Sequence, residues 1–256
     1  MKTVFLSAVF AALLLTSSAV SSMAQTKVIA HRGAWKNTGA PQNSLASLQE
    51  AIKLGCYGSE FDVHMTADST LLVNHDHTYQ GVNLETAPAA DIKALKLSNG
   101  ESLPTLDSYL KAGVKQKKTR LILEIKASKV SKAHSLALAT KCVQAVKAQK
   151  GRKRVDYISF DYDVCKKVKE LDPSARVAYL NGDKSPEQLA ADGLYGLDYH
   201  HSVMKKNENW IAEAHQKKLT VNVWTVNDPE TMNWMLERKV DFITTDEPEK
   251  LLQLVK

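Results

Sequence analysis

The residues of this chain best suited to chemistry are histidines and carboxylates that stand at or near the ends of short apolar runs. His31 and Arg32 end the first run, Glu60 and Asp62 stand two apart in the next, and His75 follows soon after. Imidazoles exchange protons near neutral pH, and an arginine fork matches two phosphate oxygens. These types and their order indicate phosphoryl chemistry, with one histidine as general base and the other as general acid.

A second charged pair, Glu124 and Lys126, repeats the spacing of Glu60 and Asp62. Residues two apart on a strand project from one face, so each pair is predicted to point one way. Burial of these charges without partners is unfavourable, and a shared metal ion would remove that penalty. Three carboxylates favour a hard divalent cation, Mg²⁺ or Ca²⁺, over Zn²⁺. One structural alternative stays open, in which Glu124 pairs with Lys126 and Glu60 pairs with Arg32.

These side chains need strands to position them, and the chain alternates short apolar runs with segments of helical period. The count of such units approaches eight, which predicts an α/β fold, a (β/α)₈ TIM barrel. The predicted barrel strands are 28–31, 59–64, 120–126, 155–160, 176–180, 196–199, 220–224 and 242–245. Because the carboxyl ends of parallel strands meet at one mouth of a barrel, we expect the charged groups there.

Helices are predicted between these strands. The first begins after Asn43 or Ser44, either of which offers an N-cap, and ends at Gly55. Asp228 and Asp246 stand near Pro229 and Pro248 and are possible caps for the last two helices. The remaining predicted helices are 106–112, 131–149, 161–171, 186–191, 207–217, 229–237 and 248–255.

One segment breaks the alternation between the second and third barrel strands. Residues 71–74 read as a short extra strand, and residues 76–103 carry only a modest helical pattern near 90–95. Loops at this end of such barrels usually carry function. We therefore expect a short insertion that overhangs the site.

The first 24 residues have the features of a secretory signal peptide. Lys2 gives a positive start, residues 4–15 form an apolar run, and Ser22 and Ala24 are small residues at the cleavage-determining positions. The apolar run is too short for a stable membrane anchor. We expect cleavage after Ala24, one mature domain over 25–256, and export to a periplasm or to the medium.

Composition bounds the partners of the chain. At 256 residues with 44% hydrophobic residues, it is ordinary for a soluble globular protein of barrel size. The net charge of +6 concentrates at 115–118 and 147–154, which we interpret as solvated surface. No aromatic residues interleave these runs, so no nucleic-acid partner is expected. Cys56, Cys142 and Cys165 show no metal-type spacing and are expected to be buried, with at most one disulfide among them.

Nine short motifs, taken in order, resemble the glycerophosphodiester phosphodiesterase family over essentially the whole mature chain. Each motif alone is weak, and their order and spacing carry the resemblance. The motifs are Ile29-Ala30-His31-Arg32-Gly33, Pro41-Gln42-Asn43-Ser44, Glu60-Phe61-Asp62-Val63, Thr66 with Asp68, His75-Asp76, Leu103-Pro104-Thr105-Leu106, Leu123-Glu124-Ile125-Lys126, Val223-Trp224-Thr225-Val226-Asn227 and Thr245-Asp246-Glu247-Pro248.

The resemblance implies a TIM barrel that cleaves small glycerophosphodiesters to glycerol 3-phosphate and an alcohol, with one divalent cation as cofactor. The glycerol 2-hydroxyl is the expected internal nucleophile in that family. The implied roles cover eight residues, namely acid and base for His31 and His75, metal ligands for Glu60, Asp62 and Glu124, phosphate contacts for Arg32 and Lys126, and a wall of the site for Trp224.

The chain departs from the family pattern at three places. Gln42 stands where the family usually has Glu, Ser59 stands where an apolar strand residue is common, and the segment 76–103 looks shorter than the usual cap. A reduced cap bears on substrate identity, because that element helps to enclose the head group. His200 and His201 end another predicted strand and are possible substrate contacts or surface loop residues.

Three rival functions suit the same pattern less well. A phospholipase-type enzyme of this barrel fold would attack intact lipid, release a cyclic phosphate and need an exposed apolar rim. A non-catalytic barrel that binds a phosphorylated ligand would be expected to lose a histidine or a carboxylate. A zinc amidohydrolase barrel normally begins with two histidines separated by one residue, whereas the first strand here offers only His31.

Overall fold

The computed structural model describes residues 25–255, so the predicted signal peptide lies outside the described residues. Eleven strands lie in this part of the chain. They are β1 (Lys27–Ala30), β2 (Gly58–Met65), β3 (Leu71–Val73), β4 (Thr78–Tyr79), β5 (Val82–Asn83), β6 (Arg120–Ile125), β7 (Val155–Ser159), β8 (Val177–Tyr179), β9 (Gly196–His200), β10 (Thr220–Trp224) and β11 (Phe242–Thr245).

Eight of these strands are parallel and close into a barrel. Going round it, the order is β1, β2, β6, β7, β8, β9, β10 and β11, and the ring closes because β1 pairs with both β2 and β11. At the closure Ala30 lies beside Ser59 on one side and Thr245 on the other. The predicted (β/α)₈ barrel is confirmed, and each predicted barrel strand is found to within one residue at either end.

Ten helices lie in the described residues, most of them on the outside of the barrel. They are α1 (Leu45–Leu54), α2 (Ala89–Lys93), α3 (Leu106–Gly113), α4 (Lys132–Ala148), α5 (Tyr162–Leu171), α6 (Pro186–Ala191), α7 (His201–Lys206), α8 (Asn209–Gln216), α9 (Pro229–Glu237) and α10 (Pro248–Leu254).

The predicted helix 207–217 is wrong at its start. Asn207 is the C-cap of α7, its backbone is not helical (φ −125°, ψ 59°), and its side-chain amide donates to the Val203 carbonyl. A separate helix, α8, begins at Asn209. His200 ends β9 and is the N-cap of α7, and His201 is the first residue of that helix, so neither lies in a surface loop.

Two of the predicted helix caps are found where expected. Ser44 caps α1 in a reciprocal capping box with Ser47, and Gly55 ends that helix with a left-handed backbone. Asp228 caps α9 by accepting from the Thr231 backbone N–H.

Side chains that alternate along the barrel strands divide between two apolar layers. The outward residues, such as Phe61, Val63 and Leu123, are buried against the helices in the main core. A smaller inner layer fills part of the barrel, with Ile29, Ile122, Ile158, Leu180 and Phe242 as its buried members. Polar groups at the carboxyl ends of the parallel strands share one mouth of the barrel.

The segment between β2 and α3 forms the insertion over this mouth. Strand β3 pairs antiparallel with the end of β2, β4 and β5 form a hairpin, and α2 follows. Five buried residues give the insertion its own small core, namely Leu72, Leu84, Ile92, Leu97 and Leu103. This packing holds the loop that carries His75 near the barrel axis.

Cys56, Cys142 and Cys165 are free and buried, as expected for packing residues, and no disulfide joins them. Burial raises the pKa of the Cys56 thiol to about 12. Within residues 25–255, no helix combines the length and apolar character needed to cross a membrane.

Candidate active site

The first strand delivers His31 and Arg32 to the barrel mouth through a tight turn. Arg32 and Gly33 both have positive φ angles, of 56° and 80°. A Cβ built at Gly33 would lie 2.4 Å from the Ser47 hydroxyl, so glycine is required at this position. The Ser47 hydroxyl donates to the Arg32 carbonyl, and the Arg32 backbone N–H donates to Glu60 Oε2 at 2.8 Å.

Glu60, Asp62 and Glu124 form a buried carboxylate cluster just inside the mouth. Their residue exposures are 3%, 1% and 7%, and one oxygen from each lies within 4.8 Å of the others. The register explains the meeting, because Asp62 on β2 is paired directly with Glu124 on β6. The structure thus brings together the three carboxylates that the sequence singled out.

Lys126 neutralises only part of this cluster. Its Nζ lies 3.1 Å from Asp62 Oδ1 and 2.8 Å from Glu124 Oε1. Burial opposes ionisation of Asp62, but Lys126 and His75 outweigh it and hold that pKa below its usual value. The structural alternative paired Glu124 with Lys126 and Glu60 with Arg32. The first pair is present, whereas Glu60 accepts a hydrogen bond from the backbone N–H of Arg32 and not from its guanidinium.

One lysine does not compensate three buried carboxylates, and Glu60 and Glu124 show the deficit of positive charge. Burial, followed by repulsion from Asp62 and Glu124, raises the pKa of Glu60 well above its usual value. Burial and Asp62 likewise raise the pKa of Glu124 to about 8. Glu60 Oε1 is buried and has no hydrogen-bond partner among the described residues. An oxygen-only donor set with an unpartnered carboxylate oxygen fits a hard divalent cation.

His31 is held by a carboxylate from the last barrel strand. Its Nδ1 lies 2.7 Å from Asp246 Oδ1, while Asp246 Oδ2 accepts from the Asn227 amide at 2.7 Å. Burial opposes ionisation of Asp246, but the His31 contact outweighs it and lowers that pKa, so Nδ1 is the donor. The His31 Nε2 is left facing the mouth, 4.0 Å from Glu60 Oε2.

The prediction that Asp246 caps the last helix is therefore wrong. Glu247 occupies the N-cap position of α10, without a side-chain capping bond. The Asp246 backbone N–H donates to Asn227 Oδ1, and its side chain is committed to His31 and Asn227. Sequence reasoning missed this role because the partners are 215 and 19 residues away.

His75 reaches the mouth from the insertion loop. Its Nδ1 lies 2.7 Å from Asp76 Oδ1, and the Asp76 side chain is 75% exposed. Burial, with the charges of Lys126 and Arg32, lowers the pKa of His75, although Asp62 and Asp76 oppose this. Its ring, like that of His31, is oriented by a carboxylate at Nδ1.

One pocket of about 110 Å³ lies at this mouth. Its polar wall includes His31, Arg32, His75 and two of the cluster carboxylates, and its apolar wall is formed by Ile158, Phe160, Leu180 and Trp224. The Trp224 indole N–H donates to the Asp198 carbonyl at 2.9 Å, which fixes the ring. Asp62 and Lys126, by contrast, do not line this pocket. His200 packs edge-on against Trp224 with a centroid separation of 5.1 Å, and neither it nor His201 lines the pocket.

Two further polar residues were not assigned to the site from sequence, where Asn43 was considered only as a helix cap. The Asn43 amide donates to Asp62 Oδ2 at 2.9 Å, and Asn43 Oδ1 accepts from the Asp62 backbone N–H. Gln42 accepts from Arg32 Nη1 at 2.7 Å and so orients the guanidinium. Both belong to a motif noted in the sequence, but only the fold shows what they contact.

Asp198 was also missed as a pocket residue. It is 2% exposed, lines the pocket, and has an Oδ1 without a hydrogen-bond partner among the described residues. Burial raises its pKa to about 7, against the opposing effect of a hydrogen bond from Asn222. Its position on β9 next to a tyrosine gave no sign that it would face the lumen.

Comparisons with known proteins agree on one family. The profile of the Glycerophosphoryl diester phosphodiesterase family matches residues 31–250. A glycerophosphodiester phosphodiesterase of Caldanaerobacter subterraneus subsp. tengcongensis is 29% identical over 246 residues, covering 91% of this chain and 98% of the relative. A glycerophosphodiester phosphodiesterase from Parabacteroides distasonis, known from a crystal structure, shares 47% sequence identity with this chain. The two structures superpose with a TM-score of 0.88, over 90% of this chain and 97% of that one.

A more distant structure shows the same fold. It is a phosphodiesterase of Oleispira antarctica in complex with sn-glycerol-3-phosphate, 24% identical to this chain with a TM-score of 0.78. The alignment covers 90% of this chain and 96% of that protein.

Proposed function

The chain belongs to the glycerophosphoryl diester phosphodiesterase family, and on that premise we propose that it hydrolyses glycerophosphodiesters to glycerol 3-phosphate and an alcohol. The relative of known structure at 47% identity is itself a glycerophosphodiester phosphodiesterase. The observation that carries the proposal is one pocket lined by His31, Arg32 and His75 beside the carboxylate cluster. These are the groups that phosphodiester cleavage needs.

Glu60, Asp62 and Glu124 would hold one divalent cation, Mg²⁺ or Ca²⁺. The unpartnered Glu60 Oε1 and the raised pKa values of Glu60 and Glu124 support this, because both features reflect missing positive charge. When bound, such an ion supplies positive charge beside a phosphoryl oxygen.

Arg32 and Lys126 supply the positive charge that belongs to the chain itself. The Arg32 guanidinium lies at the pocket wall, held by Gln42, where its planar fork suits two phosphate oxygens. Lys126, at the cluster, balances carboxylate charge beneath the phosphate site. Positive charge fixed in this way stabilises the negative charge that develops on the phosphoryl group.

His31 and His75 would move the protons. Each presents Nε2 as its free ring nitrogen, because Nδ1 contacts Asp246 or Asp76. One imidazole takes the proton of the attacking hydroxyl, for which the glycerol 2-hydroxyl is the candidate, as its oxygen bonds to phosphorus. The other gives a proton to the leaving alkoxide as its bond to phosphorus breaks. The attack of the 2-hydroxyl leaves a cyclic glycerol phosphate. Water then opens this ring, and the two histidines exchange their roles as acid and base.

The test is release of glycerol 3-phosphate from glycerophosphocholine and glycerophosphoethanolamine. The chelator-treated protein is assayed alone, with Mg²⁺ and with Ca²⁺, beside His31→Ala and a matched control, His215→Ala. His215 pairs with Asp241 away from the pocket, so its removal should leave turnover intact. Absence of turnover of any glycerophosphodiester with either ion would refute the substrate proposal, and full activity without an ion would refute the metal requirement.

The surface supports a water-soluble diester rather than intact lipid. Among residues 25–255 the exposed large hydrophobic side chains are Val130 and Leu254, and they form no apolar rim. Sedimentation with anionic phospholipid vesicles checks this point. Strong binding together with release of a cyclic phosphate from lipid would favour the phospholipase-type alternative.

Export remains part of the proposal and rests on residues 1–24 alone. The positive start, the apolar run and the small residues at 22 and 24 support a cleaved signal. N-terminal sequencing of the protein from a secretion-competent host should give Gln25 as the first residue. Recovery of the uncleaved chain from the cytoplasm would contradict it.

A further inference from the structure

A second group of metal-binding side chains lies next to the carboxylate cluster and takes no part in the proposed reaction. It consists of His64, His77, Glu85 and His134, and we call it the histidine cluster. His64 lies at the end of β2, His77 and Glu85 belong to the insertion, and His134 lies in the first turn of α4. Side chains from β2, the insertion and α4 therefore converge on one carboxylate.

The histidine cluster is built around the Glu85 carboxylate. The side chains of His64 and Glu85 are 0% and 1% exposed. His64 Nδ1 lies 3.9 Å and His134 Nδ1 4.0 Å from Glu85 Oε1, while His77 Nδ1 lies 3.0 Å from Glu85 Oε2. His64, His77 and Glu85 each offer one ligand atom, and these atoms lie within 4.8 Å of one another.

A hydrogen bond orients the His64 ring and places a proton on Nε2. Its Nε2 lies 3.1 Å from the His75 carbonyl oxygen, and a carbonyl can only accept, so Nε2 carries the proton. In the neutral ring, Nδ1 then presents a lone pair toward Glu85 Oε1. At 3.9 Å the two atoms are too far apart for a hydrogen bond. A neutral His64 and the Glu85 carboxylate then direct two buried electron pairs toward the same space, as the ligands of a cation do.

The unsatisfied atoms of the cluster all lie on the same side of the carboxylate. Glu85 Oε2 accepts from the Lys129 backbone N–H and contacts His77 Nδ1. By contrast Glu85 Oε1, His64 Nδ1 and His134 Nδ1 are buried and have no hydrogen-bond partner among the described residues. Buried polar atoms are rarely left unpaired, and here three of them converge.

We propose that His64, His77 and Glu85 bind one divalent transition-metal ion, with Zn²⁺ the best match, and that His134 completes the site as a fourth ligand. Imidazole nitrogens with one carboxylate suit Zn²⁺, whereas the oxygen-only cluster suits Mg²⁺ or Ca²⁺. The two sites therefore select different metals. A site closed by four protein ligands has no open position for a substrate, so its role is structural.

The histidine cluster would fasten the insertion to the barrel. Two of its ligands come from the insertion, and the others come from β2 and α4 of the barrel. The hydrogen bond from His64 Nε2 to the His75 carbonyl passes this restraint to the loop that carries His75. Within the site, His64 is thus a positioning residue for His75.

Zn²⁺ retention tests the proposal directly. The purified chain is stripped with chelator, loaded with Zn²⁺ in the presence of excess Mg²⁺, passed through a desalting column and analysed for zinc by mass spectrometry. We expect about one Zn²⁺ per chain for the wild type and for His215→Gln, the control outside the cluster. His77→Gln and His134→Gln should each weaken Zn²⁺ binding by at least about tenfold, with unchanged circular dichroism.

Two further measurements keep the test decisive if a variant misfolds. Glu60→Gln, which alters only the carboxylate cluster, should retain Zn²⁺ as the wild type does. X-ray absorption at the zinc edge of the wild type should show imidazole scattering from at least two histidines. The proposal is overturned if the folded wild type retains no Zn²⁺, if the spectrum shows oxygen ligands without imidazole, or if Glu60→Gln loses the metal while the histidine variants keep it.

Discussion

The two histidines of the pocket are oriented by the same contact and differ in what supports it. His31 binds Asp246 through Nδ1 at 2.7 Å, and His75 binds Asp76 through Nδ1 at 2.7 Å. The Asp246 side chain is 17% exposed and is itself fixed by Asn227, whereas the Asp76 side chain is 75% exposed. The His31–Asp246 pair belongs to the barrel, and the His75–Asp76 pair lies on a loop of the insertion.

This difference separates a rigid half of the site from an adjustable half. The barrel half is anchored by the closure between β1 and β11, where the backbone ladder runs through Ala30 and Thr245. The insertion half depends on a small apolar core and on the histidine cluster beneath it. Substitutions that alter the surroundings of a histidine without removing its ring should therefore affect His31 and His75 unequally.

Removal of either imidazole should have the largest effect, because each half of the site contributes one of the two histidines that transfer protons. His31→Gln and His75→Gln should each lower kcat by roughly 100- to 10,000-fold, as expected for loss of a general acid or base. Steady-state release of glycerol 3-phosphate measures this, with His215→Gln as the matched control. If one variant kept wild-type kcat, the two-histidine assignment would be wrong.

Substitution of the two carboxylates that orient the histidine rings should lower kcat by different amounts in the two halves of the site. Asp246→Asn should lower kcat by about 100-fold, since an amide beside Nδ1 disturbs the buried orientation of His31. Asp76→Asn should lower it by less than about tenfold, because solvent can replace an exposed partner. Both variants are compared at saturating substrate. Equal losses would contradict the distinction between a supported and an unsupported pair.

The insertion core should matter to His75 and leave His31 in place. Leu84 is fully buried there, and Leu84→Ala should destabilise the insertion by about 2 to 5 kcal/mol. We expect kcat to fall by about tenfold and amide exchange to rise across residues 71–105, with the β1 and β11 amides still protected. Exchange that rises uniformly over the barrel would show that the insertion is not an independent unit.

The smallest effect is on the pH profile. The Asp76 hydrogen bond raises the pKa of His75 against the larger lowering by burial, so Asp76→Asn should lower that pKa further. If His75 must be neutral, the acid limb of kcat/KM moves to lower pH; if it must be protonated, the alkaline limb moves to lower pH. A pH series on both proteins detects either shift. An unmoved profile would show that neither limb reports His75.

Much of the barrel was predictable because its pattern is local. The eight apolar runs predicted the eight barrel strands. The two-residue spacing of Glu60 and Asp62 predicted that both side chains project from one face of their strand. Ser44 and Asp228 were also predictable as caps, since a cap contacts a backbone only three residues away. Asn207 failed as a helix start because it is the C-cap of α7, and its non-helical backbone separates α7 from α8.

The sequence alone thus determined which residue types were available for phosphoryl chemistry and which strands would carry them. The tertiary structure decided which of them meet. The pairing of His31 with Asp246 and the convergence of His64, His77 and Glu85 join residues that no spacing relates. The physical reason is barrel closure and insertion packing: they remove these groups from water, and a buried charge or lone pair then requires a partner from wherever in the chain one lies close enough.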